Sequence, residues 1–239
     1  MLDITQSLFS GIINYILPFR CLSCSEMVDS HGSFCPPCWE KLDFIARPYC
    51  IICGYKLELS VVGVMHCGRC IRNKPAYDMA RSLLKFNEHS KRIVHAFKYH
   101  DKTVFAKSFA KLLCTRYYNE IKDVDFIIPV PMNRFKRLFR MYNPALILAQ
   151  EISKIIKKQA LPDVLIKTRW TKSQTFLSKN QREKNLANSL AFNKRHKIEG
   201  SNILLIDDVR TTGSTINKCS MLLKNAGAKS VYVITVAMT

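Results

Sequence analysis

At 239 residues with 48% hydrophobic content, the chain can bury one large domain and a small appendage. No stretch reaches the uninterrupted apolar length that a spanning helix needs, so no membrane-spanning helix is expected. The formal net charge of +19 points to anionic partners.

In chain order, Met1 to Phe19 is apolar at Leu2, Ile4, Leu8, Phe9, Ile12, Ile13, Ile16 and Leu17, at roughly helical spacing. It carries Asp3 and no early Lys or Arg, which argues against a secretory signal. A short amphipathic helix packed on the body is the reading, with a membrane-surface or partner helix as the alternative.

Eight of the ten cysteines then fall into Cys-x-x-Cys pairs: Cys21 and Cys24, Cys35 and Cys38, Cys50 and Cys53, Cys67 and Cys70. Two thiolates from one tight turn reach a single tetrahedral ion, so the pairs make two four-cysteine zinc sites. Pairing in sequence order gives Cys21, Cys24, Cys35 and Cys38 to one ion and Cys50, Cys53, Cys67 and Cys70 to the other. A cross-braced arrangement is the alternative that spacing leaves open. Four thiolates per ion leave no open position, so the sites are structural. A reducing compartment favours metal over disulfides. Cys114 and Cys219 stand alone and read as small core residues.

Lys74 and Pro75 begin a joint, and a boundary near residue 78 divides an N-terminal helix and double zinc ribbon (1–78) from a basic body (79–239). Residues 1–80 hold seven basic and seven acidic side chains, whereas residues 81–239 hold thirty and eleven. All of the excess lies in the body, as expected for a polyanion larger than one nucleotide, bound in a salt-sensitive way. Ser82 to Phe86 reads as a strand, and His89 to Tyr99 and Thr103 to Tyr118 read as helices. Asp125 to Pro131 is a buried strand stopped by its prolines. A basic stretch with Arg134, Arg137 and Arg140 follows, then a helix capped by Asn143 with Pro144 in its first turn. Residues 167–192 are polar and basic without a clear period, and their length suits a mobile active-site loop.

Ile203 to Ile206 is an unbroken aliphatic run, the pattern of a strand buried on both faces of a parallel sheet. Asp207 and Asp208 follow, then Arg210, Thr211, Thr212, Gly213, Ser214 and Thr215, opening onto a helix that starts with Ser214 as N-cap and stops at Gly227. Hydroxyls and free N–H groups at a helix start suit a phosphate, and the two acids suit sugar hydroxyls, a cation, or both. Strand, loop and helix thus occur twice, which argues α/β architecture: a parallel sheet with both loops at its carboxyl edge.

The stretch from Ile203 to Thr215 resembles the signature of the type I phosphoribosyltransferases. The resemblance implies that the loop holds the 5′-phosphate of phosphoribosyl pyrophosphate and that Asp207 and Asp208 hold its ribose hydroxyls together with Mg²⁺. It also gives the pyrophosphate to the earlier loop of Arg134, Arg137 and Arg140. Farther along, Gln174, Thr175, Leu177, Ser178, Arg182 and Asn185, with the double four-cysteine module and the Asp-Asp loop, occur in the order seen in the bacterial competence protein ComF family. Where that family usually has Arg-Gly-Phe-Asn-Gln, this chain has Arg140, Met141, Tyr142, Asn143 and Pro144.

Membership implies a type I phosphoribosyltransferase-like domain behind a double zinc ribbon. It implies a cytoplasmic factor of natural transformation that meets incoming single-stranded DNA, with DNA-uptake or recombination proteins as further partners. Phe135, Phe139, Tyr142 and Trp170 are interleaved with the charge and are candidates for stacking bases. Turnover with an unidentified acceptor is the alternative, with Asp207 and Asp208 near the sugar and Arg137 and Arg140 on the leaving group. A weaker third reading is a zinc-ribbon nucleic-acid protein on a degenerate transferase scaffold.

Overall fold

The aliphatic residues at 203–206 have no exposed surface, and they form the middle of a parallel sheet in the computed structural model, which describes residues 18–57, 65–99, 102–132, 142–167 and 190–239. In chain order the elements are α1 (Pro36–Glu40), α2 (Gly68–Arg72), β1 (Met79–Lys85), α3 (Glu88–Tyr99), α4 (Lys102–Ile121), β2 (Phe126–Pro129), α5 (Pro144–Ile156), β3 (Gln159–Ala160), β4 (Leu165–Lys167), β5 (Leu190–Phe192), β6 (Asn202–Arg210), α6 (Ser214–Asn225) and β7 (Ser230–Met238). Strands β1, β7, β6, β2 and β3 lie side by side in that order, and every pairing is parallel.

Alternation along the strands sorts their side chains into two cores. Leu204 and Ile206 of β6 and Ile234 and Val236 of β7 pack on Phe97, Phe109, Leu113, Leu148 and Ile152 of α3, α4 and α5. Ile203 and Leu205, with Val231 and Val233, pack the other way onto Ile216, Cys219 and Leu223 of α6. Burying each of these larger aliphatic or aromatic side chains contributes about 1.5–3 kcal/mol, which is what holds both layers to the sheet.

Helix α5 starts as its sequence dictates: Asn143 Oδ1 accepts from Ala145 N at 3.1 Å, and Pro144 occupies the first turn, where its missing N–H costs nothing. Helix α4 runs to Ile121, past the expected end at Tyr118, but it breaks at Tyr117 (φ −120°, ψ 21°), whose hydroxyl donates to Ser82 O at 2.8 Å. Strand β1 begins at Met79 rather than Ser82. The two-residue β3 and the antiparallel pair β4 and β5 are too short to show a period in sequence. That pair brings Leu165 opposite Phe192 and Lys167 opposite Leu190.

The outer edge of β1 is not left bare. Ile45 N donates to Leu83 O (3.1 Å), Lys85 N to Asp43 O (2.8 Å) and Ala80 N to Ile52 O (2.6 Å), so the cysteine-rich segment covers a strand edge that would otherwise invite pairing with another chain. The opening stretch 1–17 lies outside the described residues. Among those described, no helix is long and apolar enough to cross a membrane.

Candidate functional site

Strand β6 does not end at Ile206. It stays paired with β7 through Asp207 opposite Thr235, Val209 opposite Ala237 and Arg210 opposite Met238, so both acids sit on the last rungs of the sheet and the loop begins at Thr211. Asp207 Oδ1 accepts from Asp208 N (2.9 Å), and Asp208 Oδ1 from Val209 N (2.6 Å). The backbone therefore fixes both carboxylates. Lys98, from the last turn of α3, places Nζ 2.9 Å from Asp208 Oδ2. No sequence signal marked Lys98; it looked like an ordinary basic residue at a helix end.

Two adjacent carboxylates thus share one resident ammonium. Burial, and then the negative charge of Asp208, push the Asp207 carboxyl well above the ordinary carboxylate range, with Lys98 pulling the other way. Behind Asp207 on α6, the Cys219 thiol is pushed up to about 12, by burial first and then by Asp207. Cys219 stays a neutral core residue, as its sequence position suggested.

Gly213, at φ 78° and ψ 0°, makes the left-handed turn into α6 and is the N-cap, displacing Ser214 from that role. Ser214 is instead the first helical residue. The Thr212 and Ser214 hydroxyls lie 2.9 Å apart, and Ser214 N donates to Thr212 Oγ1 at 3.3 Å. Thr211, Thr212 and Ser214 are exposed, and Gly213 and Thr215 half-buried, beside the open first-turn N–H groups of the helix. At the other end Gly227, at φ 91°, provides the left-handed stop.

Arg210 is a correction. Expected among the phosphate-loop residues, its guanidinium is buried and turned toward the cysteine-rich segment. Nη1 donates to the Tyr77 hydroxyl (3.3 Å), and Nη2 donates to the carbonyl of Cys53 and reaches Met238 Sδ at 3.1 Å. The second ribbon docks beside the end of β6 and offers a carbonyl there, an arrangement that spacing along the chain does not reveal.

Arg134, Arg137 and Arg140 lie outside the described residues, as do Gln174, Arg182 and Asn185. The strand before the first group is placed: Pro129 of β2 sits opposite Ile206 of β6, so both strands send their connections to one sheet edge. The residues after it are tied back to the same region, with Asn143 Nδ2 donating to Val130 O (3.0 Å) and the Tyr142 hydroxyl to Phe97 O (2.7 Å). Tyr142 is therefore bound into the body rather than set out as a stacking face. Phe135, Phe139 and Trp170 lie outside the described residues.

The cysteines assemble in sequence order. Cys21, Cys24, Cys35 and Cys38 form one set and Cys50, Cys53, Cys67 and Cys70 the other, the ligand atoms of each lying within 4.8 Å of one another. This excludes the cross-braced arrangement. In the second set the Cys53 thiol is pushed up to about 11, by burial first and then by Cys67. The Cys50 thiol comes down to about 7, because backbone amides of Cys53, Cys67 and Ile52 outweigh its burial. Four soft donors packed this closely fit a tetrahedral Zn²⁺, which would hold all of them as thiolates.

A parallel sheet with an acid pair and a hydroxyl loop at its edge, fronted by two four-cysteine ribbons, defines a phosphoribosyl transferase domain behind a double zinc ribbon. Comparison with known families finds both domains: residues 12–71 match the double zinc ribbon domain and residues 143–238 the phosphoribosyl transferase domain. The chain belongs to the competence protein F family. It is 30% identical to competence protein F of Haemophilus influenzae over 90% of this chain and 95% of that one. It is 26% identical both to the DNA utilization protein YhgH of Escherichia coli K12 (91% and 96% covered) and to competence protein ComFC of Bacillus subtilis (84% and 82% covered). Among solved structures, adenine phosphoribosyltransferase of Thermoanaerobacter pseudethanolicus aligns over 58% of this chain and 82% of that one, at 16% identity and a TM-score of 0.38.

Proposed function

We propose that the chain is a DNA-uptake factor that binds a ribose phosphate, phosphoribosyl pyrophosphate or a relative, with Mg²⁺ at the end of β6 and handles single-stranded DNA elsewhere on its surface. The acid pair carries the first part. Lys98 neutralises one charge at Asp208, and Asp207 is left with a raised proton affinity and no ion-pair partner among the described residues. A divalent cation relieves that repulsion, and a sugar diol completes its coordination with neutral oxygens. Thr211, Thr212, Ser214 and Thr215 stand where the phosphate of such a ligand would meet hydroxyls and the positive end of α6. Arg134, Arg137 and Arg140 are proposed for the pyrophosphate, and Gln174, Arg182 and Asn185 for the segment that covers the site.

The DNA part rests on charge and on the relatives, which are named for competence and DNA utilization. It is also supported by a groove of about 780 Å³ between the first ribbon and α4. Trp39, 43% exposed, meets Phe34 and Phe44 in the groove, with Lys107, Lys111 and Arg116 along the helix side. Aromatic faces interleaved with cations suit unpaired bases and their phosphates. A cytoplasmic setting is proposed because the eight ligand thiols need reducing conditions to hold zinc.

Calorimetric titration with Mg²⁺ and phosphoribosyl pyrophosphate tests the first part: binding is expected in the parent and absent in Asp207→Asn/Asp208→Asn, while oligonucleotide affinity stays unchanged. No heat with the parent would sink it. Oligothymidylate affinity should fall steeply with salt and drop about tenfold in Trp39→Ala, as loss of one stacked base predicts. Turnover is the second reading, favoured by an open cavity beside the loop. Pyrophosphate release in the presence of some acceptor supports it, and silence across a panel of bases and nucleotides leaves binding alone.

A further inference from the structure

The ammonium at the acid pair is unlike the other paired lysines of the molecule. Lys98 and Asp208 are only 20% and 16% exposed, whereas in each other described lysine pair one side chain is at least 45% exposed. The contact is therefore held by charge in a half-dry setting and is not a loose pairing on a wet surface. The two Oδ1 atoms accept the N–H groups of Asp208 and Val209, and the ammonium takes Asp208 Oδ2. A cation drawn to both acids thus meets Lys98 at Asp208.

The root of Lys98 is fixed, while its head can swing. Phe97, the residue before it, has no exposed surface, and its carbonyl accepts the Tyr142 hydroxyl at 2.7 Å, which ties the last turn of α3 to the residues leading into α5. Beyond that anchor the charge rides on a flexible four-carbon stem, and the carbonyls of the last helical turn offer an ammonium a second place to rest. With both acids ionised and Lys98 in place, the pair carries one net negative charge, and a bare divalent cation would turn it into one net positive charge in the same small space. A cation that arrives with an anionic ligand avoids this, because the ligand offsets the excess and gives the displaced ammonium something to face. We propose that Lys98 is the gate of the acid pair: it competes with a divalent cation for Asp208, so that metal enters with its anionic ligand and not alone. That the acids take a divalent cation at all is the function proposed above; the gate adds to it and does not depend on which sugar phosphate enters. Lysine suits a gate better than arginine, because an ammonium makes a point contact and lets go, whereas a guanidinium fork clamps a carboxylate with two bonds.

The test uses the full chain loaded with two zinc ions and takes Mn²⁺ as the probe, its free ion counted by electron paramagnetic resonance. The parent, Lys98→Met and Lys98→Arg are titrated with Mn²⁺ alone and with Mn²⁺ plus phosphoribosyl pyrophosphate. Lys98→Met is expected to bind Mn²⁺ alone at least about tenfold more tightly than the parent, since a competing charge a few ångströms away is gone. Lys98→Arg should bind it no better than the parent. Adding Asp207→Asn/Asp208→Asn to Lys98→Met should remove the gain, and phosphoribosyl pyrophosphate should shrink it, because methionine offers the anion nothing. Mn²⁺ should also raise the melting temperature of Lys98→Met more than that of the parent. A structural ion pair would give the opposite: a less stable variant with no gain in cation affinity. If Lys98→Met binds Mn²⁺ no more tightly than the parent, or if the gain survives loss of both acids, the proposal is overturned. A gain in Mn²⁺ affinity in a protein that ignores phosphoribosyl pyrophosphate keeps the gate and removes the donor reading. Donor binding by the parent with no gain in the variant does the reverse. Should Lys98→Met lower the zinc content, Lys98→Gln in the same titrations decides.

Discussion

The two zinc ribbons share one ligand pattern and differ in what they lean on. In the first, Cys21, Cys35 and Cys38 form a small cluster of their own with Val28 and Phe34. Its ties to the body include Ser108 Oγ donating to Gly32 O (2.6 Å) and a 3.3 Å contact between Ser23 Oγ and His89 Nε2. In the second, Cys50, Cys53 and Cys70 belong to the same core as Ile203, Leu205 and Ile216 beneath the sheet. Cys53 O accepts from Arg210, and Ile51 O from Arg81 Nη1 (2.9 Å). One ribbon is carried by the domain, while the other is part of how the domain closes its edge and its phosphate loop.

If that contrast holds, equivalent lesions should have unequal reach. Cys53→Ser should have the largest effect, because structural zinc contributes on the order of 10 kcal/mol and this ion sits within the sheet's own core. We expect one zinc per chain, loss of the sharp thermal transition of the whole body, and no ligand binding at the loop. Cys24→Ser should also retain one zinc per chain but leave the body's transition within a few degrees of the parent. Equal melting losses in the two variants would break the comparison. Next in size is Gly54→Ala. Gly54 sits at φ 69° with its N–H on Cys50 O (2.8 Å), and an added Cβ would meet Ala80 O of β1 at 2.6 Å. The clash falls on backbone that cannot swing away, so a loss of about 1–3 kcal/mol in urea unfolding is expected.

The same contrast explains what could be read from the chain. Cys-x-x-Cys spacing carries the ligand sets, because the two thiols of a pair are local to one turn and the order of pairs follows the order of the chain. Ile203–Ile206 and Asn143–Pro144 were equally legible, since burial on two faces and helix capping are properties of neighbours in sequence. What spacing could not carry was the docking of the second ribbon on β1, and with it the inward turn of Arg210. Nor could it carry Lys98, which reaches Asp208 from an element 110 residues away in the chain. The wrong N-cap has a smaller cause: Ser214 has the preferred side chain, but Gly213 alone takes the left-handed turn without strain.

The acids supply a smaller effect that is independent of both ribbons. Because burial and Asp208 raise the Asp207 carboxyl, the folded protein holds that proton more tightly than the unfolded chain does. Stability therefore falls as pH rises from the unfolded value of Asp207 through its folded value, and stays low above it. Asp207→Asn cannot ionise and escapes that loss. Its melting temperature relative to the parent should rise from mildly acid to neutral pH, measured where both proteins retain two zinc ions. A constant difference across that range would mean that Lys98 already satisfies the pair. Saturating Mg²⁺ should shrink the gap, since a bound cation stabilises the ionised form.

The smallest change tests the comparison from the loosely held side. Ser25 occupies in the first ribbon the position that Gly54 holds in the second: its N–H donates to Cys21 O at 3.0 Å, and its φ is 64°. A left-handed serine is strained by about 1 kcal/mol, and this ribbon carries one on an exposed turn. Ser25→Gly relieves the strain but adds freedom to the unfolded chain, so a net gain of only a few tenths of a kcal/mol is expected. It should appear as slower release of one zinc to a chelator, with no shift in the body's melting temperature. If Ser25→Gly moved the body's transition as well, the first ribbon would be coupled to the sheet as tightly as the second, and the difference between them would reduce to sequence.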